Sequence, residues 1–139
     1  MNSPLAVTLK ADPNRKLLWV SYSGEFSLAE AELTFHEILG GLEQHKLNKV
    51  LVDGRQILGS PEPLERFYYG KYVAEAVAKA VNASKIEVPR LAYVLTEPAL
   101  DPNRLGETVA INRGMRVKAF DDLKAGLWWL GIEADDVSG

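Results

Sequence analysis

The sequence predicts an α/β fold: a five-stranded, mostly parallel sheet with an antiparallel hairpin at its N-terminal edge and about four helices. Three observations predict it. Apolar runs of strand length alternate with longer segments whose apolar residues recur at helical spacing. The runs KLLWVSYS (16–23) and LAYVL (91–95) are apolar on both faces, as strands covered on both sides are. Only the first two runs are joined by a tight turn; the later ones are joined through helices, and right-handed crossovers then make their pairing parallel. With 139 residues, 47% of them hydrophobic and 25% charged, the chain has the size and composition of one domain spanning 1–139, and it contains no repeat or linker.

Residues 5–10 and 16–22 read as the hairpin strands. In the connecting turn Pro13 presets φ, while Asp12 and Asn14 offer side chains to nearby backbone. Leu17, Trp19 and Ser21 share one face of the second strand, and Leu18, Val20 and Tyr22 the other. Gly24 to Ser27 then breaks the strand and opens a helix, with Ser27 and Glu30 as a capping box and Phe26 placed to staple onto Ala31. Its buried stripe is Leu28, Ala31, Phe35, Ile38, Leu39 and Leu42. His36 and His45 flank that stripe nine positions apart, too far to share a metal ion, and read as surface or boundary histidines.

A third strand is expected over 49–53, ending in Asp53, followed by a polar loop and a helix from 61 or 62 to about 81. Ser60 suits the N-cap and Pro61 the first helical position. Leu64, Phe67, Ala74, Val77 and Val81 form the core stripe of this helix, and Tyr68, Tyr69 and Tyr72 widen the aromatic surface near its start. After a polar connector over 82–88, a strand is expected over 90–96, ended by Glu97-Pro98. A helix over 101–113 follows, with Asp101 as N-cap, Pro102 at its first position and Gly114 as its stop. The last strand, 115–120, carries Arg116 and Lys118 on one face, as a protected edge does. Asp121 or Asp122 caps a final helix to 130 that buries Leu123, Leu127, Trp128 and Leu130, and the tail from 133 is polar and expected to fray. If the strands follow one another in space, the crossover helices share one face of the sheet. The second apolar face then needs a cover, either a dimer contact or a segment folded back across it.

A net charge of -3 argues against a nucleic-acid binder, which needs a basic stripe to displace counterions. The absence of cysteine excludes disulfides, thiolate metal sites and a cysteine nucleophile. The start MNSPLAVTLK lacks the charge and apolar pattern of a leader, and no apolar run is long enough to span a bilayer. The expectation is a cytoplasmic protein with no cofactor and no metal, in which the Asn82-Ala83-Ser84 sequon is idle.

The stretch KVLVDGRQILGSPEP (49–63) places Asp53, Arg55 and Ser60 at the carboxyl edge of the sheet, where α/β proteins meet ligands and partners. It does not complete a reaction centre. Between Gly54 and Ser60 the spacing imitates a phosphate-binding loop, but Ser60 and Pro61 stand where Lys and Ser/Thr are required. No Gly-x-Ser-x-Gly elbow occurs, and neither histidine is placed to serve a nucleophile. Asp53 and Arg55 are a candidate pair for binding, Arg104 and Arg113 are placed to hold an anion or to face water, and no catalytic residue is assigned.

Four segments carry a family resemblance: WVSYSGEFSLAEAE, KVLVDGRQILG, RLAYVLTEP and NRGMRVKAFDDLKAGLWWL. In the order and spacing of their hydrophobic words they resemble the SpoIIAA-like (STAS-like) family of small bacterial α/β proteins, over nearly the whole chain. The resemblance implies a SpoIIAA-like fold related to anti-sigma-factor antagonists and, more loosely, to CRAL-TRIO lipid-binding domains. Phosphorylatable antagonists carry Asp-Ser-Ser/Thr-Gly at the helix start after the third strand. Here that region reads Leu58-Gly59-Ser60-Pro61-Glu62, so Ser60 is in the region of the modified serine without its motif, and Glu62 would repel a phosphate.

Two functions follow as expectations. The first is a non-enzymatic regulatory or protein-interaction module, with a protein partner or a self-dimer, using the 53–60 loop and the adjoining helix as a contact surface with no deep pocket. The alternative is a carrier for a small apolar or anionic ligand held between the Tyr-rich helix and the sheet, in a pocket lined by Phe67, Tyr68 and Tyr72.

Overall fold

The computed structural model describes residues 4–101 and 103–133. In chain order the elements are β1 (Ala6–Asp12), β2 (Leu17–Glu25), α1 (Leu28–His45), β3 (Lys49–Leu58), α2 (Pro63–Asn82), β4 (Arg90–Val94), α3 (Leu105–Ile111), β5 (Arg116–Phe120) and α4 (Leu123–Trp129). The five strands lie side by side in that order, β1 antiparallel to β2 and every later pair parallel. The predicted α/β architecture is therefore present.

The hairpin closes through a 3-10 turn over Pro13–Arg15, with Lys16 in the left-handed region at φ 53° and its amide donating to the Pro13 carbonyl. Alternation along β2 divides the core in two. Leu18, Val20 and Tyr22 join Phe35, Ile38 and Leu42 of α1 and Val73 and Val77 of α2 on one face. Leu17 joins Leu51, Ala92, Val94 and Leu127 on the other. Three crossover helices thus share the first face, while α4, the last element among the described residues, folds back over the second.

Several expected boundaries move. β2 does not break at Gly24 but runs to Glu25, and β3 does not end at Asp53 but runs to Leu58. A bulge allows this: Ser21 lies opposite Asp53, yet Ser23 lies opposite Gln56, so β3 spends one extra residue and the pair continues as a two-stranded ribbon beyond the end of β4. Ser60 is not the N-cap of α2. Glu62 is, with Pro63 in the first turn and the Glu65 carboxylate accepting from the Glu62 amide at 2.8 Å. The Pro61-Glu62-Pro63 run offers two prolines fit for a helix start, and the later one is used because Glu62 can be capped reciprocally and Ser60 cannot.

The stripe of α2 is also shifted: Gly70, Val73, Ala74 and Val77 are buried, while Leu64 in the first turn is 63% exposed. β4 stops at Val94, two residues short of expectation. α3 is shorter than predicted, starting at Leu105 rather than 101. Asp101 still satisfies its entry, accepting from the amides of Asn103 (3.0 Å) and Leu105 (2.9 Å). The Pro102 reading lies outside the described residues, as does the polar tail from 134. In α4 Asp122 is the cap, accepting from the Ala125 amide, and Trp128 points outward at 78% exposure while Trp129 turns in against Phe120.

Candidate functional site

Asp53 and Arg55 sit where β3 leaves β4 and bulges. The guanidinium grips the carboxylate from two sides, Nε to Oδ1 at 2.9 Å and Nη2 to Oδ2 at 2.8 Å, and the Arg55 amide adds a third bond at 3.2 Å. These bonds, the side-chain ones foremost, hold the Asp53 carboxyl below its usual value. An ionised, fully engaged carboxylate is a poor proton acceptor, so the pair is built to fix the bulge rather than to move protons. The two side chains lie on the α4 side of the sheet, since Leu51 two residues earlier packs there.

The other face carries the opening in the molecule. A cavity of about 150 Å³ lies between α2, α3 and the carboxyl-terminal halves of the strands. From α2 its wall takes Arg66, Tyr69, Gly70 and Val73, the i, i+3, i+4, i+7 stripe that faces the sheet. The strands and their extensions supply Tyr22, Val52, Ile57, Tyr93 and Leu95. Phe67, Tyr68 and Tyr72 do not line it: Tyr68 is 46% exposed and stacks edge-on with Phe67, and Tyr72 packs edge-on against Phe35 of α1. The six candidate residues therefore fall into three places: Asp53 and Arg55 on the α4 side, Ser60 exposed in the β3–α2 connection, and Phe67, Tyr68 and Tyr72 on the flanks of α2.

Three phenols define the interior of the cavity. Tyr69 and Tyr93 share one hydrogen bond at 2.8 Å, and their rings meet edge to face. The Tyr22 hydroxyl is buried without any hydrogen-bond partner, in a residue only 5% exposed. Thr34, its polar neighbour, donates its own hydroxyl proton to the Glu30 carbonyl at 2.8 Å, which leaves the Thr34 oxygen beside the phenol able to accept. Burial above all pushes the ionisation of all three phenols well up, so they stay neutral donors.

The rim is charged but balanced, with Arg66 and Arg104 set against Asp101 and Glu107. Arg66 donates to the carbonyls of Pro61, Pro98 and Ala99, and Arg104 donates to Glu107 and to the Ala119 carbonyl. Arg113 is spent on the Val109 carbonyl and on the face of Phe67. Among the described residues no three His, Cys, Asp or Glu side chains gather closely enough to hold a metal ion.

Sequence reasoning noticed Tyr22, Tyr69 and Tyr93 only as strand or surface residues. The available signal was alternation. Tyr22 follows Leu18 and Val20 on one face, and Tyr93 lies opposite Val52 on that same face, so two phenols had to enter an apolar layer.

Sheet order, the N-terminal hairpin and the helix placement define the SpoIIAA-like (STAS-like) α/β fold. A solved structure of this kind is that of an anti-sigma factor antagonist from Mycobacterium paratuberculosis, which superposes with a TM-score of 0.55 over 92% of this chain and 95% of that one, at 13% sequence identity. The likeness is one of fold. No protein-family model matches the sequence, and no curated protein matches it. Among the described residues no helix is long and apolar enough to cross a membrane.

Proposed function

We propose that this chain is a non-enzymatic, cytoplasmic regulatory module of the STAS-like kind that binds a protein partner on the outer side of the β3–α2 connection. One observation carries the reading: Leu58 (53% exposed), Leu64 (63%) and Tyr68 present apolar surface on both sides of that short connection, around the exposed Ser60. Large apolar side chains grouped at one edge of a small domain mark a contact surface more often than isolated ones do. The Asp53–Arg55 clamp stiffens the strand that delivers Leu58.

The test is affinity purification from the native host with the wild-type chain and with a Leu64→Glu/Tyr68→Glu variant, after matching their thermal unfolding. A partner that is recovered by the wild type, cross-links to the connection and is lost from the variant supports the reading. A partner held equally by both, or self-association through another face, removes it.

A second reading, a carrier of a small ligand, is favoured by the cavity and its largely apolar wall. The even charge of the rim supports an uncharged cargo over an anionic one.

A further inference from the structure

A second recess lies at the amino edge of the sheet, away from the β3–α2 connection, and belongs to neither function proposed above. Lys49, Arg90 and Arg116 are the first residues of β3, β4 and β5. The parallel register sets them side by side, Lys49 opposite Arg90 and Arg90 opposite Arg116. Residues in register on parallel neighbours point to one face. Two positions on, Leu51 and Ala92 pack against α4, so all three cations stand on the α4 side. With Asn48, Glu87 and Val88 they line a recess of about 330 Å³.

Neighbouring strands lie about 4.8 Å apart, so three like charges are crowded into roughly 10 Å. A carboxylate beside each would be the ordinary remedy. The three ion pairs among the described residues are elsewhere, at Arg15–Asp12, Arg55–Asp53 and Arg104–Glu107. Glu87, the one acid in the wall of the recess, accepts from the Asn48 side-chain amide at 3.1 Å instead. Two positive charges thus stay uncompensated there, in a chain whose net charge is -3.

The donors are also prepared. Arg90 carries its guanidinium 4.4 Å from the centre of the Trp129 ring, which fixes the group and leaves its in-plane N–H groups open. Lys49 donates to the Arg15 carbonyl at 3.1 Å and keeps its other N–H groups. Arg116 is exposed on the edge strand.

We propose that this recess binds a dianionic tetrahedral oxyanion, a phosphate that is free or carried as a monoester. Arg90 and Arg116 grip its oxygens and Lys49 supplies the third positive charge. Two charges on the ligand match the two left over in the wall, and guanidinium forks suit the paired oxygens of a phosphate.

The experiment is a ¹H–¹⁵N chemical-shift titration of the full chain at pH ~8, where phosphate is dianionic, and at constant ionic strength. The probes are inorganic phosphate, phenyl phosphate and acetate. Both phosphates are expected to shift the amides of Lys49, Arg90 and Arg116 and the Trp129 indole N–H to saturation, and acetate is not. Equal affinities for the two assign the site to free phosphate, and tighter phenyl phosphate assigns it to a monoester. Arg116→Gln is expected to weaken phosphate about tenfold, the worth of a hydrogen bond to a charged group. Lys118→Gln, on the same face of β5 but outside the recess, is expected to change it by no more than about twofold.

Equal responses to phosphate and acetate, or equal losses at Arg116→Gln and Lys118→Gln, would mean a diffuse positive surface and overturn the proposal. Glu133, Asp135 and Asp136 follow Ile132, which packs with Leu17, the first residue of β2, at this same edge. If Asp135→Asn/Asp136→Asn moves the Lys49, Arg90 and Arg116 amides with no anion added, the acidic tail is the occupant, which also overturns the proposal.

Discussion

Tyr22, Tyr69 and Tyr93 tie the stability of the protein to alkaline pH. Burial keeps each phenol protonated in the folded chain, whereas in the unfolded chain it ionises near pH 10. Above that value the folded state holds more protons than the unfolded one. Their contribution is therefore complete below pH 10 and declines as pH rises, by up to about 1.4 kcal/mol per pH unit for each phenol. Urea unfolding at pH 9, 10 and 11 should show this decline, and Tyr22→Phe should make it shallower. Tyrosinate absorbance of the native protein at pH 11 should lack these three of its five tyrosines. Asp53 behaves in the opposite sense. Its carboxyl is held low by Arg55, so the stability it lends is present above pH ~4 and is lost as pH falls through its folded value. Asp53→Asn should flatten that acid limb and cost no more than about 1 kcal/mol at pH 7, because Arg55 stands open to solvent. A larger loss in urea titration would mean that the bulge depends on the charge.

At the scale of elements, α2 and α3 meet backbone to backbone. A Cβ at Gly70 would lie 2.6 Å from the Gly106 carbonyl oxygen, and one at Gly106 would lie 3.2 Å from the Arg66 carbonyl oxygen. Backbone cannot swing aside as a side-chain tip can, so Gly70→Ala should separate the helices and cost about 1–3 kcal/mol. Chemical denaturation measures this, and a neutral result would show that the helices can part freely. Nothing in the sequence announced the contact, because Gly70 inside a helical run looks like a weak helix former rather than a packing site. The legible features were those with one local cause: the Ser27 cap, the hairpin turn, the two faces of β2 and the order of the elements. The continuation of β3 through Gly54, Arg55 and Gln56 was hidden because polar residues after an acid read as a loop, and only pairing with β2 across a bulge makes them strand. The start of α2 was ambiguous for a different reason, since two nearby prolines each suit a first turn. The site suffered most from this, because Ser60 was placed by local rules while the cavity is formed by strands and helices far apart in the chain.

For the whole molecule, the decisive feature is the cover on the second face of the sheet. Crossover helices occupy the first face, and Leu17, Leu51, Ala92 and Val94 on the second are sealed by α4 and by Leu130 and Ile132 beyond it. Trp129 completes the seal, tilted against Phe120 with the Arg90 guanidinium 4.4 Å from its ring centre. Trp128, one position earlier, faces water. A helix of only seven residues cannot hold itself together, so its apolar contacts with the sheet are its stability. Leu127→Ala should therefore cost about 2–5 kcal/mol, as truncation of a buried leucine does. Trp129→Ala should also be markedly destabilising, while Trp128→Ala should stay within about 0.5 kcal/mol. Urea unfolding of the three variants, with light scattering to register self-association through the uncovered face, decides the matter. Equal effects at Trp128 and Trp129 would mean that α4 sits on the sheet in a different rotation, and the second face would then have to be closed by another copy of the chain.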